Sequence, residues 1–398
     1  MPGHILVLTI PAQGHMRPAL AVTEELVRRG HRVSFLTPES FEPAVKATGA
    51  TAIRYESLLT EALGPGQYKT LTSDLLAWSA VLFLQESTQL VALAQELFAG
   101  DLPDLVLYDM IVAPTGRALE QLWDRPAVQS TPSMASNANY SQVRAVQLRS
   151  GVPDEHPAVV ELLSRAEKFA ADLGINASPG YLVDWGADKS VVYAPREFQP
   201  FGETFGDETT FVGPCLSPEY TAQTWQAPGD GLPLVIISMG TLYNHQPDFF
   251  PLCVRAFEGQ PWHAVITVGN GLDPDSLGPL PPNVEVLRWI PQLAAVREAD
   301  VFVTAAGLGS LMESLYAGTP PVLVPQVPET RVLSDRAVEL GLGTLLNAAD
   351  ITEETLLSAV RRTAADEGLR ERVRHMAGVL ERAGGAARAA EALEARLP

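Results

Sequence analysis

Short, wholly apolar segments alternate with amphipathic stretches in this chain, and the alternation runs twice. Nothing else limits its possible folds so strongly. Residues 5–9, 33–37 and 105–108 are segments of this kind, and Pro126 leads into another. Pro18 opens a helical pattern with Ala19, Val22 and Leu26 on one face, and Gly30 closes it. The pattern restarts after Pro200, with strand candidates at 234–238, 264–268, 284–287, 301–304 and 322–324. Apolar strands of this length, separated by helices, predict parallel sheets covered on both faces. The fold class is therefore α/β, with two doubly wound Rossmann-like domains. Residues 195–233, rich in Pro, Gly and acidic side chains, read as the linker, and 371–397 as a terminal helix. Residues 58–78 and 130–180 are less regular and read as loops and helices above the first sheet. Ligands bind at the carboxyl ends of strands in such sheets. One domain is expected to hold a nucleotide and the other its partner molecule.

Composition narrows the partners. The chain has 398 residues, 46% of them hydrophobic, enough for two cores. Its formal charge of -19 opposes binding to nucleic acid and to anionic membranes. No apolar run in the sequence reaches the roughly 18 residues of a membrane span. The start, MPGHILVL, enters a strand without a basic leader, so no signal peptide is expected. Only Cys215 and Cys253 occur, which fits a reducing cytoplasm and not a disulfide framework.

Residues 289–330 carry the densest chemistry. Trp289 offers a stacking face, and a strand follows, then the Gly-rich turn TAAGLGS at 304–310, then Glu313 in a helical pattern. Turn amides and a helix N-terminus suit a diphosphate, and Glu313 suits ribose hydroxyls. Ala305, where strand meets turn, has no polar group. Ser238 and Thr241 follow another strand, where hydroxyls and amides hold phosphate or simply cap a helix.

Two residues in the first half suit proton transfer. His15 follows a strand in PAQGHMRP, residues 11–18, and an imidazole there exchanges a proton near neutral pH. Asp109 ends another strand, where it either orients His15 or caps a helix. Other features are weak. Gly269 and Gly271 lack the third glycine of a dinucleotide fingerprint. Asp273 and Asp275 flank a proline in a solvated turn. His4, His31, His156, His245, His263 and His375 show no metal-ligand spacing, so no metal is expected.

Taken together, these residues resemble the inverting family 1 glycosyltransferases, above all the bacterial macrolide and natural-product enzymes. The similarity covers nearly the whole chain. It is carried by PAQGHMRP (11–18), GHRV (30–33), PDLVLYD (103–109), FVGP (211–214), SMGT (238–241), WIPQL (289–293) and DRAVELG (335–341). The resemblance implies a GT-B fold of two facing Rossmann-like domains, with a C-terminal helix crossing back to the first. The implied limits are 1–205 for the acceptor domain, 206–375 for the donor domain and 376–398 for the crossing helix. It also implies roles. His15 matches the general base and Asp109 its partner, Trp289 with Ile290 matches the base-binding corner, and Gln292 and Glu313 match the ribose contacts. Ser238, Thr241, Gly307, Gly309 and Ser310 match the diphosphate cradle, and Glu329 with Thr330 the sugar contacts. The partners implied are a nucleotide diphosphate sugar, as co-substrate without a cofactor, and a hydrophobic acceptor. Trp78, Phe83 and Met134 are candidate acceptor contacts, or equally core.

Two positions depart from the family pattern. A histidine that donates to the donor phosphate is usual where this chain has Ala305, and an acidic residue followed by Gln where it has Glu329 and Thr330. A hydrogen bond to a charged group is worth roughly 1.5–3 kcal/mol, or about 10- to 150-fold in binding. The departures motivate a second reading, a catalytically weak homologue that binds a small molecule or a partner protein.

Overall fold

The computed structural model describes residues 2–62, 72–241 and 246–398. Their packing divides the chain into two compact units. Residues up to 217 join 383–398 in the first, and 218–382 form the second. The divisions fall after Ser217 and after Arg382.

The first unit is built on seven parallel strands: β1 (His4–Leu8), β2 (Arg32–Thr37), β3 (Thr51–Arg54), β4 (Leu105–Asp109), β5 (Ala127–Thr131), β6 (Ser190–Val192) and β7 (Thr209–Phe211). Their order is β3-β2-β1-β4-β5-β6-β7, so the winding reverses between β1 and β4. β1, β4 and β5 are buried along their whole length, which is why β1 and β4 read as largely apolar runs, whereas β5 shows only Ala127 and Val128. β6 has three residues and β3 is half exposed, so neither leaves a strand signal. β7 lies inside the segment read as linker and pairs with β6, which corrects that reading.

Two helical segments differ from expectation. The first runs from Gln13 to Arg28, so Pro18 lies inside it and His15 in its first turn. Proline removes one hydrogen bond there, while the bonds from His15 N and Met16 N to Ala12 O hold the turn at 2.9 and 2.8 Å. The expected 371–397 helix breaks into Glu367–Arg382 and Gly385–Glu394. Gly384 at φ +94 and Gly385 at φ +54 turn the chain with left-handed backbone that other residues disfavour. The last helix then packs on the first unit. Ala389, Ala390 and Leu393 join Ile5, Val22 and Leu26 in one core. Glu394 accepts from Arg29 Nη1 at 2.8 Å and His31 Nε2 at 3.0 Å.

The Ser73–Leu97 helix is long and apolar enough to cross a membrane by length and composition. Here Leu84, Leu90, Val91 and Ala94 are buried in the protein. Its Glu86, fully buried, accepts from Tyr55 Oη, Ser57 Oγ and Leu58 N at 2.8, 2.7 and 2.9 Å. These partners offset the desolvation of the carboxylate.

The second unit carries six parallel strands: β8 (Leu234–Ser238), β9 (His263–Thr267), β10 (Val284–Leu287), β11 (Val301–Thr304), β12 (Pro321–Leu323) and β13 (Thr344–Leu345). The order β10-β9-β8-β11-β12-β13 reverses between β8 and β11. Each unit thus has one switch point, at the edge where doubly wound sheets bind ligands.

Candidate active site

At the switch point of the first unit, β1 and β4 are neighbours in register, with Leu8 beside Tyr108. Asp109 is the last residue of β4, and His15 stands in the helix that follows β1. The two side chains meet: His15 Nδ1 lies 2.8 Å from Asp109 Oδ2. Asp109 is fully buried and the His15 side chain is 19% exposed. Asp109 Oδ2 also accepts from Thr9 Oγ1 at 3.3 Å, and Oδ1 from Ile111 N at 2.9 Å. The carboxylate therefore caps the next turn and orients the ring at once. In the tautomer that carries its proton on Nδ1, this contact is a hydrogen bond from the ring to the Asp109 carboxylate. Behind the pair, Ser130 neighbours Asp109 across β5 and bonds the Tyr193 hydroxyl at 2.8 Å. Burial pushes the Tyr193 phenol well above its ordinary value, so it stays neutral. The placement of β4 depends on a close approach, because a Cβ on Gly116 would lie 2.1 Å from the Tyr108 ring.

The switch point of the second unit has a different make-up. Ser238 ends β8 beside Thr304, the last residue of β11. The turn after β11 holds Ala306 at φ +60, a left-handed conformation that costs a non-glycine residue of order 1 kcal/mol or more. Thr304 Oγ1 accepts from Ala306 N at 3.2 Å and braces it. The Leu308–Ala317 helix starts here without a side-chain cap, its first-turn amides facing outward. Added Cβ atoms on Gly307 and Gly309 would meet nothing within 4 Å, so the turn opens onto free space.

Glu313 on the same helix is only 4% exposed. Gln292 Nε2 donates to its Oε2 at 2.7 Å and to Ser310 Oγ at 3.3 Å. The structure thus brings Gln292, Ser310 and Glu313 together. Trp289 presents its indole outward, 54% exposed, while the Ile290 side chain packs on the core below. Thr241 and Glu329 are half-buried. Ala305 packs among Val303, Val322 and Val324.

Thr330 behaves differently from its expected sugar contact. Its hydroxyl accepts from Gln326 N and Val327 N, both at 3.2 Å, and donates to Val327 O at 3.0 Å. It caps the Pro328–Glu339 helix. Met134 is fully buried and belongs to the core, which removes it as a surface contact. Trp78 is 42% exposed and Phe83 half-buried on the Ser73–Leu97 helix. Residues 63–71, within the less regular 58–78 segment, and His245 lie outside the described residues. Among the described residues no group of three His, Cys, Asp or Glu side chains is arranged to hold a metal ion.

Two contributors carry no sequence signal of their own. Thr9 looks like any strand-end threonine until β1 and β4 pair. Tyr220, in the segment read as linker, donates its phenol to Glu313 Oε2 at 3.1 Å.

An imidazole–carboxylate pair at one switch point and a glycine-rich turn at the other, each on its own Rossmann-like unit, fit the two-domain GT-B class. Comparison with known proteins gives the same class and refines it. Residues 5–108 match the glycosyltransferase family 28 N-terminal domain, and residues 263–384 the C-terminal domain of erythromycin biosynthesis protein CIII-like proteins. The demethyllactenocin mycarosyltransferase of Streptomyces fradiae is 36% identical over 99% of this chain and 86% of its own. The oleandomycin glycosyltransferase of Streptomyces antibioticus is 34% identical over 100% of this chain and 91% of its own. Among solved structures, the calicheamicin glycosyltransferase CalG4 is 36% identical, covers 100% and 98% of the two chains, and has a TM-score of 0.86. The chain belongs to the bacterial macrolide and natural-product glycosyltransferases.

Proposed function

We propose that this enzyme is an inverting transferase in which His15 is the general base and Asp109 its orienting partner. The observation that carries the proposal is the 2.8 Å contact between His15 Nδ1 and a fully buried Asp109 carboxylate. An acceptor hydroxyl gives its proton to His15 Nε2 as its oxygen bonds to the anomeric carbon of the donor sugar. The bond from that carbon to the β-phosphate oxygen breaks on the opposite side, and the nucleoside diphosphate leaves. Asp109 stabilises the imidazolium that forms, without taking the proton itself. General-base help of this kind is worth roughly 10²–10⁴-fold.

The donor in this reading is a uridine or thymidine diphosphate hexose. The exposed Trp289 stacks on the base and Glu313 takes ribose hydroxyls. Ser238, Thr241, Ser310 and the amides at Gly307 and Gly309 take the diphosphate. The acceptor is a hydrophobic natural product such as a macrolide, polyketide or phenolic, as the names of the relatives suggest. The reaction so written uses no cofactor or metal. Two buried free thiols, Cys215 and Cys253, fit a cytoplasmic enzyme.

The test is direct. Purified protein is incubated with uridine and thymidine diphosphate hexoses of known anomeric configuration and a panel of such acceptors. Nuclear magnetic resonance then reads the anomeric coupling of each product. Inverted glycosides are expected. Retained configuration, or no transfer with any pair, would contradict the proposal.

A further inference from the structure

Thr9 is the first residue after β1, and β1 pairs with β4 so that Leu8 lies beside Tyr108. One register position further on, Thr9 stands beside Asp109. Thr9 is only 3% exposed, and its hydroxyl donates to Asp109 Oδ2 at 3.3 Å. Among the described residues that hydroxyl has no other partner. The same Oδ2 lies 2.8 Å from His15 Nδ1, while Oδ1 accepts from Ile111 N at 2.9 Å.

These contacts differ in where they come from. Ile111 belongs to the turn that Asp109 itself caps, so its amide travels with the end of β4. Thr9 and His15 both belong to the passage from β1 into the Gln13–Arg28 helix. That passage is packed tightly, with Ile10 and Ala12 buried and Ala12 N donating to Ile10 O at 2.8 Å. Asp109 Oδ2 therefore closes a ring that runs from Thr9 along the chain to His15. An aspartate carboxylate turns easily about its last bond, because that torsion has broad minima. The Ile111 amide holds one oxygen, and the Thr9 hydroxyl holds the other without involving the imidazole. We propose that Thr9 is a positioning residue for proton transfer, one that keeps Asp109 Oδ2 aimed at His15 Nδ1 while the ring gains and loses its proton. The inference rests on the assignment of His15 as general base.

Thr9→Val keeps the branched shape and removes the hydroxyl alone. The full-length protein is assayed for kcat, acceptor KM and the dissociation constant of a nucleoside diphosphate, with Asp109 intact and in the Asp109→Ala background. With Asp109 intact, Thr9→Val is expected to lower kcat by about 10-fold, the lower end for a hydrogen bond to a charged group, with KM and nucleotide binding little changed. In the Asp109→Ala background it is expected to cause no further loss, because the two residues act through one contact. Thr9→Ser is expected to recover most of the activity. An unchanged kcat in Thr9→Val overturns the proposal. So does an equal loss in the Asp109→Ala background, or a Thr9→Ser protein as slow as Thr9→Val. Should Thr9→Val fail to fold, Thr9→Ala and Thr9→Ser differ only in the hydroxyl and give the same comparison. The underlying assignment fails separately: if His15→Ala leaves kcat unchanged, His15 is not the base, whatever Thr9 does.

Discussion

The two switch points occupy equivalent places in their sheets, β1 against β4 and β8 against β11, yet they are furnished in opposite ways. The first is made of side chains: a buried carboxylate, an oriented imidazole and a supporting threonine hydroxyl. The second is made largely of backbone: a strained alanine, two glycines facing open space and an uncapped helix N-terminus. The difference follows from the work proposed for each. Moving a proton requires a group that titrates, held at the right atom by a partner. Holding a diphosphate requires partial positive charge spread over several oxygens, which amides and a helix dipole supply without any titratable group. A chain can therefore carry Ala305 at the second site and remain a glycosyltransferase, whereas the pair at the first site has no backbone substitute.

The largest expected effect falls on the side-chain site. Asp109→Ala should lower kcat/KM by roughly 10²–10⁴-fold, read by steady-state product formation with an active donor and acceptor pair. Near-normal turnover would erase the contrast between the sites. Next, Ala305→His adds a side-chain donor to the backbone site. It should tighten binding of a nucleotide diphosphate sugar by about 10-fold, the lower end for a hydrogen bond to a charged group, as measured by calorimetry. No change would mean that the amides alone already satisfy the phosphates.

A smaller effect separates capping from sugar contact. Thr330→Val removes the hydroxyl that holds the Gln326 and Val327 amides. It should lower stability by about 1 kcal/mol in chemical denaturation, with the donor KM unchanged. A raised KM at unchanged stability would return Thr330 to the sugar site. The smallest expected signal is a null one. Burial pushes the thiols of Cys215 in the first unit and Cys253 in the second well above the usual thiol range. Neither should react with a thiol reagent in native protein, and each should become reactive as its own unit unfolds. Native labelling at either position would show that its core opens readily.

The sequence made most of this readable where burial was complete. β1, β4, β8 and β11 each carry a buried apolar run, and at or just after their carboxyl ends stand His15, Asp109, Ser238 and the 304–310 stretch. What stayed hidden depends on pairing across the chain. β6, β7 and β13 have two or three residues each, too few for any period to show. Thr9 and Tyr220 gain meaning only once strands and helices bring them to carboxylates 100 and 93 residues away. Pro18 misplaced the first helix because proline usually marks a helix start, and here the turn before it is already closed. Thr330 likewise shows its bonds to the Gln326 and Val327 amides only once its helix is in place.

In the mechanism proposed here, proton transfer and donor binding are separate tasks of the two units. His15→Ala tests it most directly, with kcat and the dissociation constant of a nucleoside diphosphate measured on the same preparation. kcat should fall by roughly 10²–10⁴-fold while the dissociation constant stays within about twofold of the unaltered protein. An unchanged kcat, or a loss of nucleotide binding as large as the loss of turnover, would contradict it.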